Sequence, residues 1–122
     1  MREILFRGKG INDKEWRYGF YTEQQGYPYI TPDGVAMYEI DANTAGQYTG
    51  FVDKNGKKIF EGDIVCMDDW IPPCMQVAYA QGAFYLAEIE KPVKYYGDIY
   101  YLNHGGKPCA KVIGNIYDDL SY

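Results

Sequence analysis

The sequence is short of most of what enzyme active sites are built from. It holds one histidine, His104, in 122 residues. Any Ser-His or Cys-His pair, and any imidazole-rich metal site, would have to draw on that single ring. Serine and threonine are scattered, with no strand-turn-helix context for a nucleophile elbow. Long apolar runs are absent too. The longest are a few residues, far below the roughly 20 that a membrane-spanning helix needs. The first residues, Met1-Arg2-Glu3-Ile4-Leu5-Phe6-Arg7, lack the apolar stretch of a signal peptide, which leads us to expect a cytoplasmic protein. Positive charge is also in deficit: 12 Lys and Arg against 17 Asp and Glu give a net charge of −5. Nucleic-acid binding draws its affinity from basic side chains on phosphates, so this balance argues against it.

Cysteine is sparse and unpatterned. Cys66, Cys74 and Cys109 are odd in number and contain no C-x-x-C. With no secretory signal, reduced thiols are expected, with Cys66 a small buried hydrophobe inside Ile64-Val65-Cys66-Met67. A zinc site would need all three cysteines and His104 to converge without the paired short spacings such sites show, so no metal or other cofactor is expected. His104, before Gly105-Gly106, reads as a helix-end or loop residue.

What is abundant points to strands. Tyrosine reaches 14 and glycine 14, with six prolines. Isoleucine and valine outnumber leucine, and branched and aromatic side chains suit a pleated, half-buried surface. Frequent Gly and Pro cut the chain into short pieces. A mass near 14 kDa implies roughly two-thirds of the unfolded surface buried, enough for a core without staples. The expectation is a mostly β fold of short strands in hairpins, with at most one short helix, capped by Asp98 and running through Tyr100 to Asn103.

Strands are predicted over Glu3–Phe6, Glu15–Thr22, Tyr27–Ile30 and Val35–Ile40, with Arg7-Gly8-Lys9-Gly10 as a loop. In the second, Trp16, Tyr18 and Phe20 share one face and Arg17, Gly19 and Tyr21 the other, with one face buried. Thr31-Pro32-Asp33-Gly34 is a turn. The loop Asp41–Gly46 is the expected internal boundary, dividing an N-terminal β portion, 1–45, from a second portion, 46–122. Gln47–Val52 and Lys57–Phe60 make the clearest hairpin. Asp53-Lys54-Asn55-Gly56 between them specifies a type I turn closed by a left-handed glycine, so that Asp53 faces Lys57 and Phe51 faces Ile59. Further strands follow at Ile64–Met67, Met75–Ala80, Ala83–Glu88 and Ala110–Tyr117, with 88–96 irregular.

Three segments carry a resemblance. Arg2-Glu3-Ile4-Leu5-Phe6-Arg7, the stretch from Gln47 through Val65, and Val112-Ile113-Gly114-Asn115-Ile116-Tyr117-Asp118 are similar to the YopX-like proteins of bacteriophages and prophages. The resemblance covers nearly the whole chain. It departs at Gly8-Lys9-Gly10 and in the acidic end after Asp119. It implies a β-rich protein of a phage or prophage genome, with a C-terminal small barrel, SH3-like or partly open. It brings no catalytic residues with it.

Two acidic groupings invite chemistry. Glu61 and Asp63 flank Gly62, where a carboxylate bonding nearby amides in a tight turn explains them without catalysis. Asp68 and Asp69, with Asp118 and Asp119, lack the spacing of a calcium loop and read as solvated charge. No catalytic site, cofactor site or metal site is therefore expected. Tyrosine is favoured where one side of a ring is apolar and the other wet, as at interfaces. Trp70, Tyr95, Tyr96, Tyr100 and Tyr101 are the candidate interaction residues. They suit a non-enzymatic protein that self-associates as a homo-oligomer or contacts a phage or host protein in the bacterial cytoplasm. A nucleic-acid-binding small barrel is the alternative.

Overall fold

The computed structural model describes residues 4–89 and 94–118. Strands dominate, as composition requires, and the only helical pieces among the described residues are two 3-10 turns, Ala42–Thr44 and Ile99–Leu102. The strands form three antiparallel sheets, none closed into a barrel. The chain divides into two compact units, Met1–Tyr48 and Thr49–Tyr122.

In the first unit, β1 (Phe6–Lys9), β2 (Trp16–Gln24), β3 (Tyr27–Thr31), β4 (Tyr38–Glu39) and the start of β5 (Gly46–Val52) lie in the order β4-β3-β2-β1-β5. The segment expected as a loop, Arg7 to Lys9, is strand: Phe6 faces Gly19 and Lys9 faces Trp16. A buried arginine is what allows it. Arg7 is 3% exposed, and its guanidinium lies 4.6 Å from the centre of the Trp16 ring, so the charge is covered by an aromatic face. The strand expected over Val35–Ile40 is shortened to two residues. Asp33 accepts hydrogen bonds from the amides of Val35 and Ala36, both 2.8 Å, which takes those amides out of any ladder. On β2, Tyr18 and Phe20 face outward at 46% and 59% exposure, while Gly19 is buried and Tyr21 packs on Phe6 at 5.7 Å. The apolar-looking face is thus the wetter one, because Gly19 sits against the backbone of Thr31 and Pro32.

The second unit is built on the predicted hairpin. The latter half of β5 runs into a turn and returns as β6 (Lys58–Phe60). The Asp53 amide donates to the Lys57 carbonyl at 2.8 Å, and Gly56 takes φ +82° and donates to the Asp53 carbonyl at 2.9 Å. That is the type I turn with a left-handed glycine, in the expected register at Asp53–Lys57. A five-stranded sheet follows in the order β10-β9-β8-β7-β13, from β7 (Asp63–Cys66), β8 (Cys74–Ala80), β9 (Ala83–Ala87), β10 (Tyr95–Asp98) and β13 (Lys111–Asn115). A two-residue ribbon pairs β11 (Asn103–His104) with β12 (Lys107–Pro108) around Gly105-Gly106. His104 therefore ends a miniature strand rather than a helix.

The core of this unit is Ile59, Val65, Met67, Met75, Val77, Phe84, Leu86, Ile99, Leu102, Ala110 and Val112. Phe51 packs against it. Consecutive residues Met75 to Ala78 are all buried, so β8 is covered on both faces. The buried Gln76 is satisfied by donating to the carbonyls of Glu88, 2.9 Å, and Ile89, 2.6 Å.

One expectation is overturned by strand register. Cys66 and Cys74 face each other across β7 and β8 with Cα atoms 4.1 Å apart, and they form a disulfide. Seven intervening residues looked unpaired in sequence; as a loop between adjacent antiparallel strands they bring the two sulfurs together. Cys109 alone stays free. Iodoacetamide under denaturing conditions is expected to label one cysteine of the oxidised protein and three after reduction, read by mass. Labelling of all three before reduction would show that the pair is open.

Candidate functional site

The loop after β7 and the β11–β12 ribbon enclose a sizeable hollow in the second unit. The loop is pinned at its base, where the Met67 amide donates to the Pro73 carbonyl at 2.8 Å and the Trp70 amide to the Met67 carbonyl at 3.3 Å. Met67 is buried in the core, so Asp68 and Asp69 are turned out and Trp70 folds back, half-buried, onto the core edge. Opposite, the 3-10 turn Ile99–Leu102 buries Ile99 and Leu102 and leaves Tyr100 and Tyr101 outward. Asp98 sits at its N-terminus in extended conformation but makes no side-chain capping bond, contrary to the expected cap.

The result is a pocket of about 420 Å³. Asp68, Asp69 and Trp70 of the loop line it together with Tyr101, Asn103 and His104 of the turn and ribbon, and with Met67 and Cys109. The Trp70 and Tyr101 rings meet edge-to-face, centres 5.3 Å apart and planes at 67°. Both rings close over Gly97: a Cβ there would lie 2.9 Å from Tyr101 and 3.3 Å from Trp70. Cys109 is held by its amide on the Leu102 carbonyl, 2.9 Å, and its Sγ lies 3.2 Å from that same oxygen. Burial pushes its thiol pKa up, so it is a poor nucleophile at neutral pH.

The candidate interaction residues divide by burial. Tyr100 is 74% exposed, with its ring edge-on to Phe51 at 5.6 Å. Tyr95 is exposed, stacks loosely on Tyr85 at 6.0 Å and donates its hydroxyl to Asp98 at 2.8 Å. That bond raises the Tyr95 pKa. Tyr101 is exposed at the pocket mouth. Tyr96 and Trp70 pack against the core instead, so they are half-buried rather than surface residues.

The carboxylates separate as well. Asp63 is 1% exposed and accepts from the Phe60 amide at 2.8 Å, the turn role its position suggested. Neither it nor Glu61 lines the pocket that contains His104. Asp118 accepts from the Asn115 side-chain amide at 2.9 Å in a local turn, and Asp119 lies outside the described residues. Among the described residues no three His, Cys, Asp or Glu side chains gather as a metal ion would need. Sequence reasoning singled out Trp70, Tyr101, His104, Asp68 and Asp69 separately, for different chemistry, but missed Asn103 and the pocket that these residues share. The available signal was the Gly105-Gly106 pair, which permits a two-residue ribbon that folds Asn103 and His104 back toward the loop.

A family model described as YopX protein matches residues 5–120, nearly the whole chain. No curated protein matches the sequence.

Proposed function

The chain belongs to the YopX protein family, and from that premise we propose that it is a non-catalytic interaction protein of phage or prophage type, acting by protein–protein contact in the cytoplasm of a bacterial host. The observation that supports this reading is the set of outward aromatics of the second unit: Tyr95, Tyr100 and Tyr101, each more than half exposed, of which Tyr101 lines the Trp70 pocket. Large rigid rings offer contact area at low entropic cost, and they anchor interfaces where one edge is wet. The pocket's titratable groups do not form a nucleophile–base pair: the Cys109 thiol lies against carbonyl and thioether acceptors rather than against His104. Its two aspartates would repel phosphate, so the nucleic-acid alternative gains nothing from it.

A photo-crosslinking residue at Tyr100 tests the reading in cells. Adducts are expected there and not at Val35, which is 86% exposed in the other unit. Mass spectrometry of the adduct separates a second copy of this chain from a phage or host protein. No adduct at Tyr100, or equal adducts at both sites, would defeat it.

A further inference from the structure

We propose that the pocket between the Met67–Pro73 loop and the β11–β12 ribbon receives the guanidinium of an arginine side chain presented by a partner protein. The inference deepens the interaction reading and rests on it. Four features of the pocket converge on a planar cation. Trp70 and Tyr101, edge-to-face at 5.3 Å, form an aromatic corner, and aromatic faces attract a cation, arginine most often. Asp68 and Asp69 stand exposed at the rim, and neither is paired with a lysine or arginine among the described residues. Asn103 also lines the hollow, and its Oδ1, shielded from solvent, has no hydrogen-bond partner among the described residues, so a donor reaches it only if the side chain turns. No lysine or arginine lines the hollow itself, although Lys54 is near enough to act on the Cys109 thiol.

The chemistry selects among cations. Guanidinium has five donors and no acceptor, it lies flat on a ring, and it holds its water weakly, so it suits carboxylate oxygens and an indole face together. An ammonium is a compact, strongly hydrated charge that gains less from the aromatic corner. An anionic group meets two carboxylates. The protein's net charge of −5 draws a basic partner toward the same surface before contact. The pocket volume, about 420 Å³, accommodates one long side chain with some of its water.

The full-length protein, isotopically labelled, can be titrated with three blocked amino acids while the Trp70 indole N–H resonance is followed. Trp70→Phe identifies that resonance against Trp16. N-acetyl-arginine methylamide is expected to saturate the Trp70 signal in the millimolar range. The citrulline analogue, equal in shape but uncharged, should bind about tenfold more weakly or worse, and so should arginine on Asp68→Asn/Asp69→Asn. The lysine analogue should fall between. Citrulline binding as tightly as arginine, lysine binding more tightly, shifts centred away from Trp70, or no saturable shift would each overturn the proposal. If the arginine probe fails while Tyr100 still crosslinks in cells, the interaction surface stands and the guanidinium site falls. If both fail, the interaction reading itself is lost.

Discussion

Replacing Gly62 by alanine is expected to cost about 2–4 kcal/mol of stability, through backbone strain and a clash acting together. Gly62 sits between β6 and β7 at φ +90°, where L side chains are strained. A Cβ built there would lie 2.6 Å from the Tyr117 ring. The residue has no freedom to move away. Its amide donates to the Val77 carbonyl at 2.8 Å, and its carbonyl accepts from the Ile116 amide at 2.9 Å, which ties it to β8 and to the end of β13. Gly56 is the control. It has nearly the same φ, +82°, but nothing within 4 Å of the added carbon, so Gly56→Ala should cost only the strain, about 1 kcal/mol. Chemical denaturation of both variants measures the difference. A Tyr117→Leu background should recover part of the Gly62→Ala loss and none of the Gly56→Ala loss. Equal costs at the two positions would show that the Tyr117 ring contributes nothing.

Asp53→Ala is expected to destabilise by roughly 3 kcal/mol, because three backbone donors lose a charged acceptor in a buried site. Asp53 is 2% exposed. Its Oδ1 accepts from the amides of Asn55, 2.8 Å, and Lys57, 2.9 Å, and its Oδ2 from the amide of Val112, 3.0 Å, 59 residues away. One side chain thus closes the turn and staples the hairpin to β13. Asp53→Asn should lose about half as much, since its amide oxygen can still serve one side while its NH₂ faces a donor on the other.

The same carboxyl sets a pH signature. Burial pushes its pKa up, but the amides of Val112, Lys57 and Asn55 and the Lys57 cation outweigh burial, so the folded value lies below the ordinary one. A group with a depressed folded pKa binds protons more readily unfolded. Its stabilisation is therefore complete above the unfolded pKa, near 3.9, and is lost as pH falls through the folded value. Asp13 and Asp33 also titrate low, each held by backbone amides, and Asp13 by Arg17 as well. Their effect is common to wild type and Asp53→Ala. The stability gap between those two proteins should hold steady from neutral pH to about pH 4 and narrow only below it. A gap that closes between pH 7 and 5 would assign the effect to another group.

Local chemistry made much of the second unit legible. Asp53, Asn55 and Gly56 dictate their own turn, since the bonds that close it lie within four residues, and the hairpin register follows from that turn. The Thr31-Pro32-Asp33-Gly34 turn is legible for the same reason, although its reach is not: the Asp33 carboxylate also captures the amides that a continuing strand would need. Strand propensity in the tyrosine-rich, leucine-poor chain carries the mostly β class. It does not carry closure, because whether sheets curl into a barrel depends on tilt and stagger between strands distant in sequence.

The misses share one cause. The disulfide, the burial of Arg7, the outward face of Tyr18 and Phe20, and the meeting of Trp70 with Tyr101 are all set by pairing between elements rather than by adjacent residues, even where, as in the disulfide, only eight positions separate the partners. Periodicity says that Tyr18 and Phe20 lie on one side of a strand, never which side the neighbouring backbone will crowd. From sequence alone come the β class, the turns at Asn55-Gly56 and Asp33-Gly34, the acidic surface and the membership in a family, because each is written in adjacent residues or in composition. Only the tertiary structure decided which cysteines pair, which tyrosines are wet and where a pocket opens, because those outcomes depend on strand order and register, which bring together residues from eight positions apart, as in the disulfide, to 42 apart, as at Met67 and Cys109.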